Sequence, residues 1–380
     1  MKVVSKRVAN GENACSSGTG AYCKARERLS ENLINQTMKE VGRQAHEKSG
    51  NKWKWKGKNV ILGDGTTVSM PDTKENQAVY PQPTNQKEGV GFPIARLVGL
   101  ISLSSGTVLD YAVGIAKGKG TGEHSLLKGL LRSFSPGDIF LADSYYCTYF
   151  LISMLLSIGV NVVSRQHSSR KTDFSKGESL GNNDHIVTWS KPLRCPDWID
   201  SETYERAPKQ LIVRELKVNG KIIVTTFINA KEISKKEIGE LYDSRWMIEI
   251  DFKFIKEVLQ MDILRCKSPE MVRKEIGVHL LAFNLLRTVM AQAASLYDIL
   301  PRTISFKATL QAVNSFTDKM LLLPDKAVEL YQALQQAIVS HRIGNRPGRL
   351  EPRAVKRRPK PFPRLKKPRY LAREELNTYP

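Results

Sequence analysis

Apolar and polar residues alternate along the chain in two patterns, one typical of strands and one typical of helices. Short apolar runs, which favour buried strands, occupy residues 59–62, 94–103, 108–116, 138–142 and 161–164. Apolar residues at helical spacing occur in residues 21–46, 123–133, 149–158 and, with breaks, 234–300. The chain is therefore predicted to be an α/β protein with a covered central sheet.

The order of these elements narrows the fold class. Between residues 59 and 164 the pattern predicts three strands, a helix, a strand, a helix and a last strand. That order is the ribonuclease H-like arrangement, a mixed five-stranded sheet with helices on both faces. In this arrangement the first and fourth strands are neighbours, about 4.8 Å apart.

Changes in composition along the chain predict its domain organisation. Residues 166–229 mix polar turns with β-rich runs and are interpreted as an insertion into the core. The predicted regions are a short N-terminal helical segment at 1–52, the ribonuclease H-like core at 53–165 and 230–300, the β-rich insertion at 166–229, a helical C-terminal region at 301–340 and a basic Pro/Arg-rich tail at 341–380. Alternating Lys and Trp at 52–56 predict one more strand, with Trp53 and Trp55 either in the core or stacked on bases. Trp189 and Trp198 of the predicted insertion have the same two interpretations.

Positive charge is concentrated at the C-terminus and limits the function classes. The chain has 59 Lys and Arg against 38 Asp and Glu, a net charge of +21, which favours polyanions such as nucleic acid. Residues 341–380 contain 13 Lys or Arg, 3 Glu and 7 Pro, and the prolines predict an extended conformation. This tail is either a solvated tail or a basic arm along a phosphate backbone.

The composition also argues against membrane and secreted proteins. The apolar stretch at 149–163 is interrupted by polar residues and is too short to cross a bilayer. The first thirty residues lack the apolar run of a secretory signal. Five widely spread cysteines form no C-x-x-C pair, so neither a disulfide framework nor a zinc finger is predicted. A cytoplasmic protein without a membrane partner is expected.

Two aspartates follow directly on predicted core strands. Asp64 comes after the apolar run 60–62, and Asp143 comes after the apolar run 139–142. A carboxylate at the inner end of a core strand is costly unless a cation or hydrogen-bond donors meet it. Because the two strands are predicted neighbours, these strand-end carboxylates are expected to share a divalent ion.

A third acid lies in an unusually apolar helix predicted at 241–256. On a helical wheel four of its polar residues fall within an arc of about 60°, and these are Tyr242, Arg245, Glu249 and Lys256. One carboxylate flanked by cations is suited to binding a metal next to a phosphate. The alternative is a simple ion pair, since Arg245 and Glu249 are four residues apart.

Together these residues resemble a known protein family. Their spacing looks like the Tyr-Arg-Glu-Lys signature of the bacterial insertion-sequence-four transposases, formed here by Tyr242, Arg245, Glu249 and Lys256. Residues 63–67 resemble the family's first aspartate motif, and residues 141–145 resemble its second. The resemblance extends from Gly18 to Ala372, which is nearly the whole chain.

The resemblance implies an Asp-Asp-Glu transposase that cleaves DNA at transposon ends and transfers the strands into target DNA. The implied catalytic and metal-binding residues are Asp64, Asp143 and Glu249. The implied DNA-binding residues are Tyr242, Arg245 and Lys256. The metal would be Mg²⁺, for which Mn²⁺ substitutes. The partners would be double-stranded DNA, as transposon ends and as target, and a second copy of the chain in a homodimer on DNA.

Two other functions remain compatible with the sequence. Relatives usually have a longer helical region before the segment that begins at Gly18, so residues 1–52 are interpreted as truncated relative to the family. One alternative is therefore a DNA-binding remnant or regulator of an insertion sequence, without autonomous activity. The other is a ribonuclease H-fold nuclease, which would not need the Tyr242, Arg245 and Lys256 set.

Overall fold

The protein is built around one mixed β-sheet, seen in a computed structural model that describes residue 11 and residues 18–116, 121–344 and 366–378. The strands are β1 (Val60–Ser69), β2 (Ile94–Ser102), β3 (Val108–Ile115), β4 (Ile139–Ala142), β5 (Asn161–Arg165), β6 (Glu178–Gly181), β7 (Asp184–Ser190), β8 (Gln210–Val218) and β9 (Lys221–Thr225). Their order across the sheet is β3-β2-β1-β4-β5-β9-β8-β7-β6. β1, β4 and β5 are parallel to one another, and the other neighbouring pairs are antiparallel.

Helices precede, interrupt and follow the strands. They are α1 (Gly20–Arg28), α2 (Glu31–Glu47), α3 (Lys74–Val79), α4 (Glu123–Lys128), α5 (Tyr149–Ser157), α6 (Ser201–Arg206), α7 (Lys235–Asp243), α8 (Trp246–Lys253), α9 (Pro269–Leu296), α10 (Phe306–Leu322), α11 (Ala327–Ser340) and α12 (Arg369–Thr378). A π-helical turn at Phe254–Val258 follows α8 directly. Short 3₁₀ turns occur at Asn51–Trp53, Leu131–Ser133, Ser144–Tyr146, Pro301–Thr303 and Pro324–Lys326.

Apolar side chains cover both faces of the sheet and form two cores. In β1, Val60 and Leu62 are buried in the first core, whereas Ile61 is buried in the second. The first core is covered by α2 and by helices α7 to α11, and the second by α4, α5 and α6. Full burial of one such aliphatic side chain stabilises the fold by roughly 1.5–3 kcal/mol. β1 is therefore fixed from both sides, which makes it a rigid support for a site.

The prediction of a five-stranded sheet is wrong, because strands from the 166–229 region extend the same sheet to nine strands. β9 pairs with β5 in antiparallel register, with Val163 opposite Thr225. Without β9, β5 would be an edge strand with unpaired backbone N–H and C=O groups. The predicted proximity of the first and fourth strands is confirmed, since β1 pairs with β4. The boundaries of the predicted regions stay predictions.

Three local predictions also differ from the structure. Residues 52–56 form no strand; the 3₁₀ turn ends at Trp53, and Trp53 and Trp55 are half-buried against the first core. The helix predicted at 21–46 is divided in two, because the Ser30 hydroxyl accepts the Leu33 N–H and starts a new helix. Part of the tail is helical, namely α12. The tail residues 345–365 lie outside the described residues.

α9 is long and apolar enough to cross a membrane by length and composition alone, as no other helix of the described residues is. More than half of its apolar window is buried inside the protein. The helix also contains buried polar residues: Asn284 hydrogen-bonds the backbone of Val108 and Met38, and Arg287 pairs with Asp251. These features are typical of the core helix of a globular protein.

Candidate active site

Two aspartates lie side by side near the centre of the sheet. Gly63 of β1 is in register with Ala142, the last residue of β4. The next residue of each strand is an aspartate, so Asp64 and Asp143 follow the paired residues on neighbouring parallel strands, about 4.8 Å apart. Because side chains alternate along a strand, Asp64 is on the same face as Leu62, the face of the first core. The two acids therefore occupy neighbouring positions on paired strands, while the ion that they are expected to share stays a prediction.

The environment of Asp64 differs from the predicted strand end. β1 continues for five residues beyond Asp64, because β2 pairs with it as far as Ser69 after β4 has ended. The Gly65 N–H donates to Asp64 Oδ1 at 2.8 Å. Burial raises the pKa of Asp64 to about 6; the Gly65 hydrogen bond opposes this shift, and the charge of Asp143 adds to it. A half-buried acid with a raised pKa beside a second acid is typical of a functional site.

Asp143 starts the 3₁₀ turn that follows β4. Its Oδ1 accepts a 2.8 Å hydrogen bond from the Tyr145 N–H, and its backbone is extended. Each aspartate therefore has one carboxylate oxygen held by a backbone N–H two residues or fewer further along the chain. That restraint fixes the orientation of both carboxylates before any ligand binds.

The helix predicted at 241–256 is divided into three parts. α7 ends at Asp243, a two-residue turn contains Arg245, and α8 continues into the π-helical turn. Backbone bonds from Arg245 N–H to Tyr242 and from Met247 N–H to Ser244 span three residues, so the chain is wound more tightly here than an α-helix. A single helical wheel therefore does not describe this segment, although Arg245 and Glu249 still meet.

Arg245 connects Glu249 to the pair of aspartates. Its Nη2 donates to Glu249 Oε1 at 2.5 Å, and its Nη1 is 3.9 Å from Asp64 Oδ2. The Arg245 side chain is 17% exposed. Burial acts to lower the pKa of Arg245, but the hydrogen bond to Glu249 and the neighbouring charges raise it overall. A permanently charged guanidinium thus lies between the predicted acids.

The other two predicted DNA-binding residues are placed differently from each other. Tyr242 is buried, with the Lys221 ammonium 5.6 Å from its ring centre. Lys256 lies in the π-helical turn, and its Nζ donates to the Thr66 hydroxyl at 3.3 Å. Thr66 is two residues after Asp64, so the Lys256 ammonium is beside the aspartate strand. Tyr242 has little surface left with which to contact DNA in this conformation.

The described residues do not bring three His, Cys, Asp or Glu side chains close enough together to hold a metal ion. Asp64 and Asp143 lie together, whereas Glu249 is turned onto Arg245. The donor set nevertheless suits a hard cation, because carboxylate oxygens are the protein ligands that Mg²⁺ and Mn²⁺ prefer. The Arg245 guanidinium demonstrates that a positive charge fits between Asp64 and Glu249.

Two neighbours of the site, at the start of α4, are not predicted from the sequence. The Glu123 carboxylate lies against Gly65, next to Asp64. The His124 ring stacks between Tyr145 and Trp198, with ring centres 4.3 and 4.8 Å apart. No regular spacing relates residues 123–124 to the aspartates, so only the sheet topology reveals this contact. Trp198, a predicted core or base-stacking residue, is half-buried in that stack.

Trp189, the other tryptophan of the insertion with the same two interpretations, is a core residue. Its side chain is 4% exposed, and its Nε1 donates to Glu215 Oε1 at 2.7 Å. The Arg170 guanidinium covers the ring at 3.7 Å. Trp189 is therefore not available to a base in this conformation.

Comparison with known proteins assigns the family. The sequence model of the transposase DDE domain matches residues 55–285, which include both aspartates and Glu249. The chain belongs to this family. It is accordingly a DNA transposase, an enzyme that cleaves DNA and transfers DNA strands, and the family generally uses divalent metal ions.

Individual relatives agree with this transposase family. The chain is 26% identical over 352 residues to the transposase InsG of insertion sequence element IS4 from Escherichia coli K12, covering 90% of this chain and 77% of that protein. It is 33% identical over 75 residues to the transposase of insertion sequence element IS421 from Escherichia coli, 20% of each chain. The predicted resemblance to the insertion-sequence-four transposases is confirmed. Among solved structures, a piggyBac transposase synaptic complex with hairpin DNA is similar at a TM-score of 0.41 and 10% identity, over 84% of this chain and 57% of that chain.

Proposed function

We propose that Asp64, Asp143 and Glu249 are the metal-binding and catalytic residues of this transposase. The observation that carries the proposal is the geometry of Arg245, whose guanidinium contacts Glu249 and faces Asp64 while Asp64 lies beside Asp143. The guanidinium thus meets two of the acids, and the third lies next to Asp64, so a divalent cation can take the place of that positive charge. Mg²⁺ is the proposed ion, with Mn²⁺ as a substitute, because all three ligands are carboxylates.

The reaction proposed is cleavage at the transposon ends and strand transfer into target DNA. When bound, Mg²⁺ activates a water or a 3′-hydroxyl and neutralises charge on the attacked phosphate. Asp64 and Asp143 contribute carboxylates whose orientation is already fixed by the N–H groups of Gly65 and Tyr145. Glu249 contributes the third carboxylate from α8, which packs on the face of the sheet that Asp64 faces. The two aspartates are thereby preorganised, which lowers the reorganisation cost of the phosphoryl transfer.

Arg245 and Lys256 are proposed to bind DNA phosphates beside the metal. Both cations lie next to β1, and Lys256 contacts a hydroxyl rather than a carboxylate in the described part of the chain. Charge-assisted hydrogen bonds from Arg and Lys to phosphate are among the stronger protein contacts. Tyr242 is proposed as a third DNA-binding residue, which would require its buried ring to become accessible in the DNA complex.

The remaining features follow the same proposal. The part of the sheet formed by β1 to β5, with helices on both faces, is proposed to be a ribonuclease H-like core, and the 166–229 region an insertion into it. The proposed partners are the double-stranded inverted-repeat ends, target DNA and a second copy of the chain. Action on the bacterial chromosome implies a cytoplasmic location. The net charge of +21 supports binding to DNA.

The test is strand cleavage and strand transfer on supercoiled DNA that contains the ends of the element, in the presence of Mg²⁺. Asp143→Asn and Glu249→Gln should abolish both reactions while end binding is retained, because only the metal ligands change. Asp243→Asn is the matched control, since it removes an exposed carboxylate six residues before Glu249. Parental cleavage by Asp143→Asn would refute the site, and retained binding without any cleavage by the parent would favour a DNA-binding remnant.

A further inference from the structure

Glu123 lies behind the two aspartates, on the other face of the sheet. α4 packs in the second core, whereas Asp64 faces the first. Gly65 follows Asp64 and so faces the second core, where an added Cβ would lie 2.4 Å from the Glu123 carboxyl carbon. The carboxylate therefore rests directly on the Gly65 backbone. Gly65 is also the residue whose N–H holds Asp64 Oδ1.

The same carboxylate is bonded to the segment that follows Asp143. Tyr146 Oη donates to Glu123 Oε2 at 2.9 Å, and the Tyr146 side chain is buried. Tyr146 ends the 3₁₀ turn in which the Tyr145 N–H holds Asp143 Oδ1. Glu123 thus contacts both segments that orient the aspartates, the Gly65 backbone by packing and the Tyr146 side chain by a hydrogen bond.

Arg96 compensates the charge of Glu123. Its Nε lies 3.7 Å from Glu123 Oε1 and has no hydrogen-bond partner among the described atoms. Arg96 is on β2, opposite Thr67 of β1. The Glu123 carboxylate lies close to the acids Asp64 and Asp143, and the Arg96 guanidinium on β2 compensates its charge.

We infer that Glu123 is a positioning residue. It holds the Gly65 backbone and the Ser144–Tyr146 turn at the relative position that places Asp64 beside Asp143. This inference rests on the proposed function of those aspartates. Glu123 touches neither DNA nor metal in this role, since it lies on the opposite face of the sheet from Glu249. It acts through the two N–H groups that hold Asp64 Oδ1 and Asp143 Oδ1. Loss of the support should loosen both carboxylates and weaken the binding of divalent metal.

The experiment measures Mn²⁺ binding by electron paramagnetic resonance, on the full chain bound to its end DNA, together with the metal dependence of cleavage. Glu123→Ala should raise the half-saturating Mn²⁺ concentration by about tenfold or more, the usual effect of removing a residue that orients metal ligands. Tyr146→Phe removes only the hydroxyl, so it should give part of that shift with little change in packing. Glu123→Gln keeps an oxygen that accepts from Tyr146, so its shift should be smaller than that of Glu123→Ala.

A double variant tests whether Glu123 and Tyr146 act together. Glu123→Ala with Tyr146→Phe should bind Mn²⁺ no more weakly than Glu123→Ala alone, because both changes remove the same hydrogen bond. Glu31→Gln is the matched control: Glu31 is 29% exposed and paired with Arg273, as Glu123 is 24% exposed beside Arg96. This control should leave the Mn²⁺ half-saturation unchanged.

Two results would overturn the inference. One is a parental Mn²⁺ half-saturation in Glu123→Ala, and the other is a fully additive loss in the double variant. If Glu123→Ala does not fold, as judged by circular dichroism, the Tyr146→Phe variant decides alone. The inference is then overturned if Tyr146→Phe has the same half-saturating Mn²⁺ concentration as the parent. Asp143→Asn, measured in parallel, separates the two proposals. If Asp143→Asn is inactive and Glu123→Ala has the Mn²⁺ half-saturation of the parent, only the positioning role is refuted. If Asp143→Asn is active, the site itself is refuted.

Discussion

Arg245 donates a 2.5 Å hydrogen bond to Glu249, one helical turn further along the chain, while its other terminal nitrogen is 3.9 Å from Asp64. The same guanidinium therefore compensates an acid of the helix layer and an acid of the sheet. A divalent cation that binds these carboxylates would take over that compensation and release Arg245. The released guanidinium would then be beside the attacked phosphate.

Arg245→Ala distinguishes a DNA contact from a structural ion pair. If Arg245 binds DNA, the variant should melt close to the parent in Mg²⁺ and should bind the transposon end more weakly by about 1.5–3 kcal/mol, the value of one charge-assisted hydrogen bond. Thermal melting and end-complex formation measure the two effects. Arg43→Ala is the matched control, because Arg43 and Glu47 form an ion pair with the same four-residue spacing. A large fall in melting temperature with normal end binding would restore the ion-pair interpretation.

Lys256→Ala should weaken end binding without loss of stability. The ammonium contacts the Thr66 hydroxyl and is half-buried next to the aspartate strand, so its removal breaks no ion pair with a carboxylate of the described residues. Lys253→Ala is the control from the preceding turn; Lys253 is 64% exposed and paired with Glu257. Equal losses of end affinity in the two variants, measured by gel shift, would mean that position 256 contributes only general positive charge.

Asp64→Asn should stabilise the metal-free protein at neutral pH. The pKa of Asp64 is raised from 3.8 to about 6 by burial, so the native state takes up a proton before the unfolded state does. Above about pH 6 the charged carboxylate therefore destabilises the fold, by up to about 3 kcal/mol. This penalty decreases as the pH falls through that window and is absent below 3.8.

Melting temperatures of parent and Asp64→Asn, recorded with a chelator across this pH range, test the sign of that effect. The difference should be largest above pH 6 and should disappear at the acidic end. An equal or lower melting temperature of the variant at neutral pH would contradict the burial cost assigned to Asp64. Added Mg²⁺ should stabilise the parent more than the variant, because only the parent retains the ligand.

Removal of the residues after His341 should weaken non-specific DNA binding and make it less sensitive to salt. The deletion removes 13 Lys or Arg and 3 Glu, a net charge of +10. Every phosphate that the shortened chain no longer neutralises reduces the slope of log affinity against log salt by roughly 0.9. Fluorescence anisotropy on a DNA duplex without the element's ends measures that slope. An unchanged slope would mean that the tail does not bind DNA.

The sequence is sufficient for those features that depend on local composition. Apolar runs that end at Asp64 and Asp143 are strong strand signals, and the order of elements alone places their strands next to each other. The family signature in residues 242–256 depends on residue identity and spacing, which folding does not alter. The proposed acids are accordingly identifiable from the amino-acid sequence alone.

Features that depend on long-range pairing were not predictable. β1 extends past Asp64 because β2 pairs with it there, and β5 accepts β9 from a segment about sixty residues away in the sequence. The tight turn at Ser244–Arg245 breaks a pattern that reads as one continuous helix. Gly65 lies in β1, whereas Glu123 starts α4, which follows β3. No single segment of the sequence contains both residues, so no local pattern predicts their contact.

The pairing of β9 with β5 has a mechanical consequence. Residues 178–225 are joined to the aspartate strands by one continuous ladder of backbone hydrogen bonds, through β9, β5 and β4. A force applied along the strands in this outer half of the sheet would therefore load the backbone hydrogen bonds in shear. The load would reach β4, which ends just before Asp143. Strain applied along the strands at the periphery of the sheet would therefore reach the segment that carries Asp143.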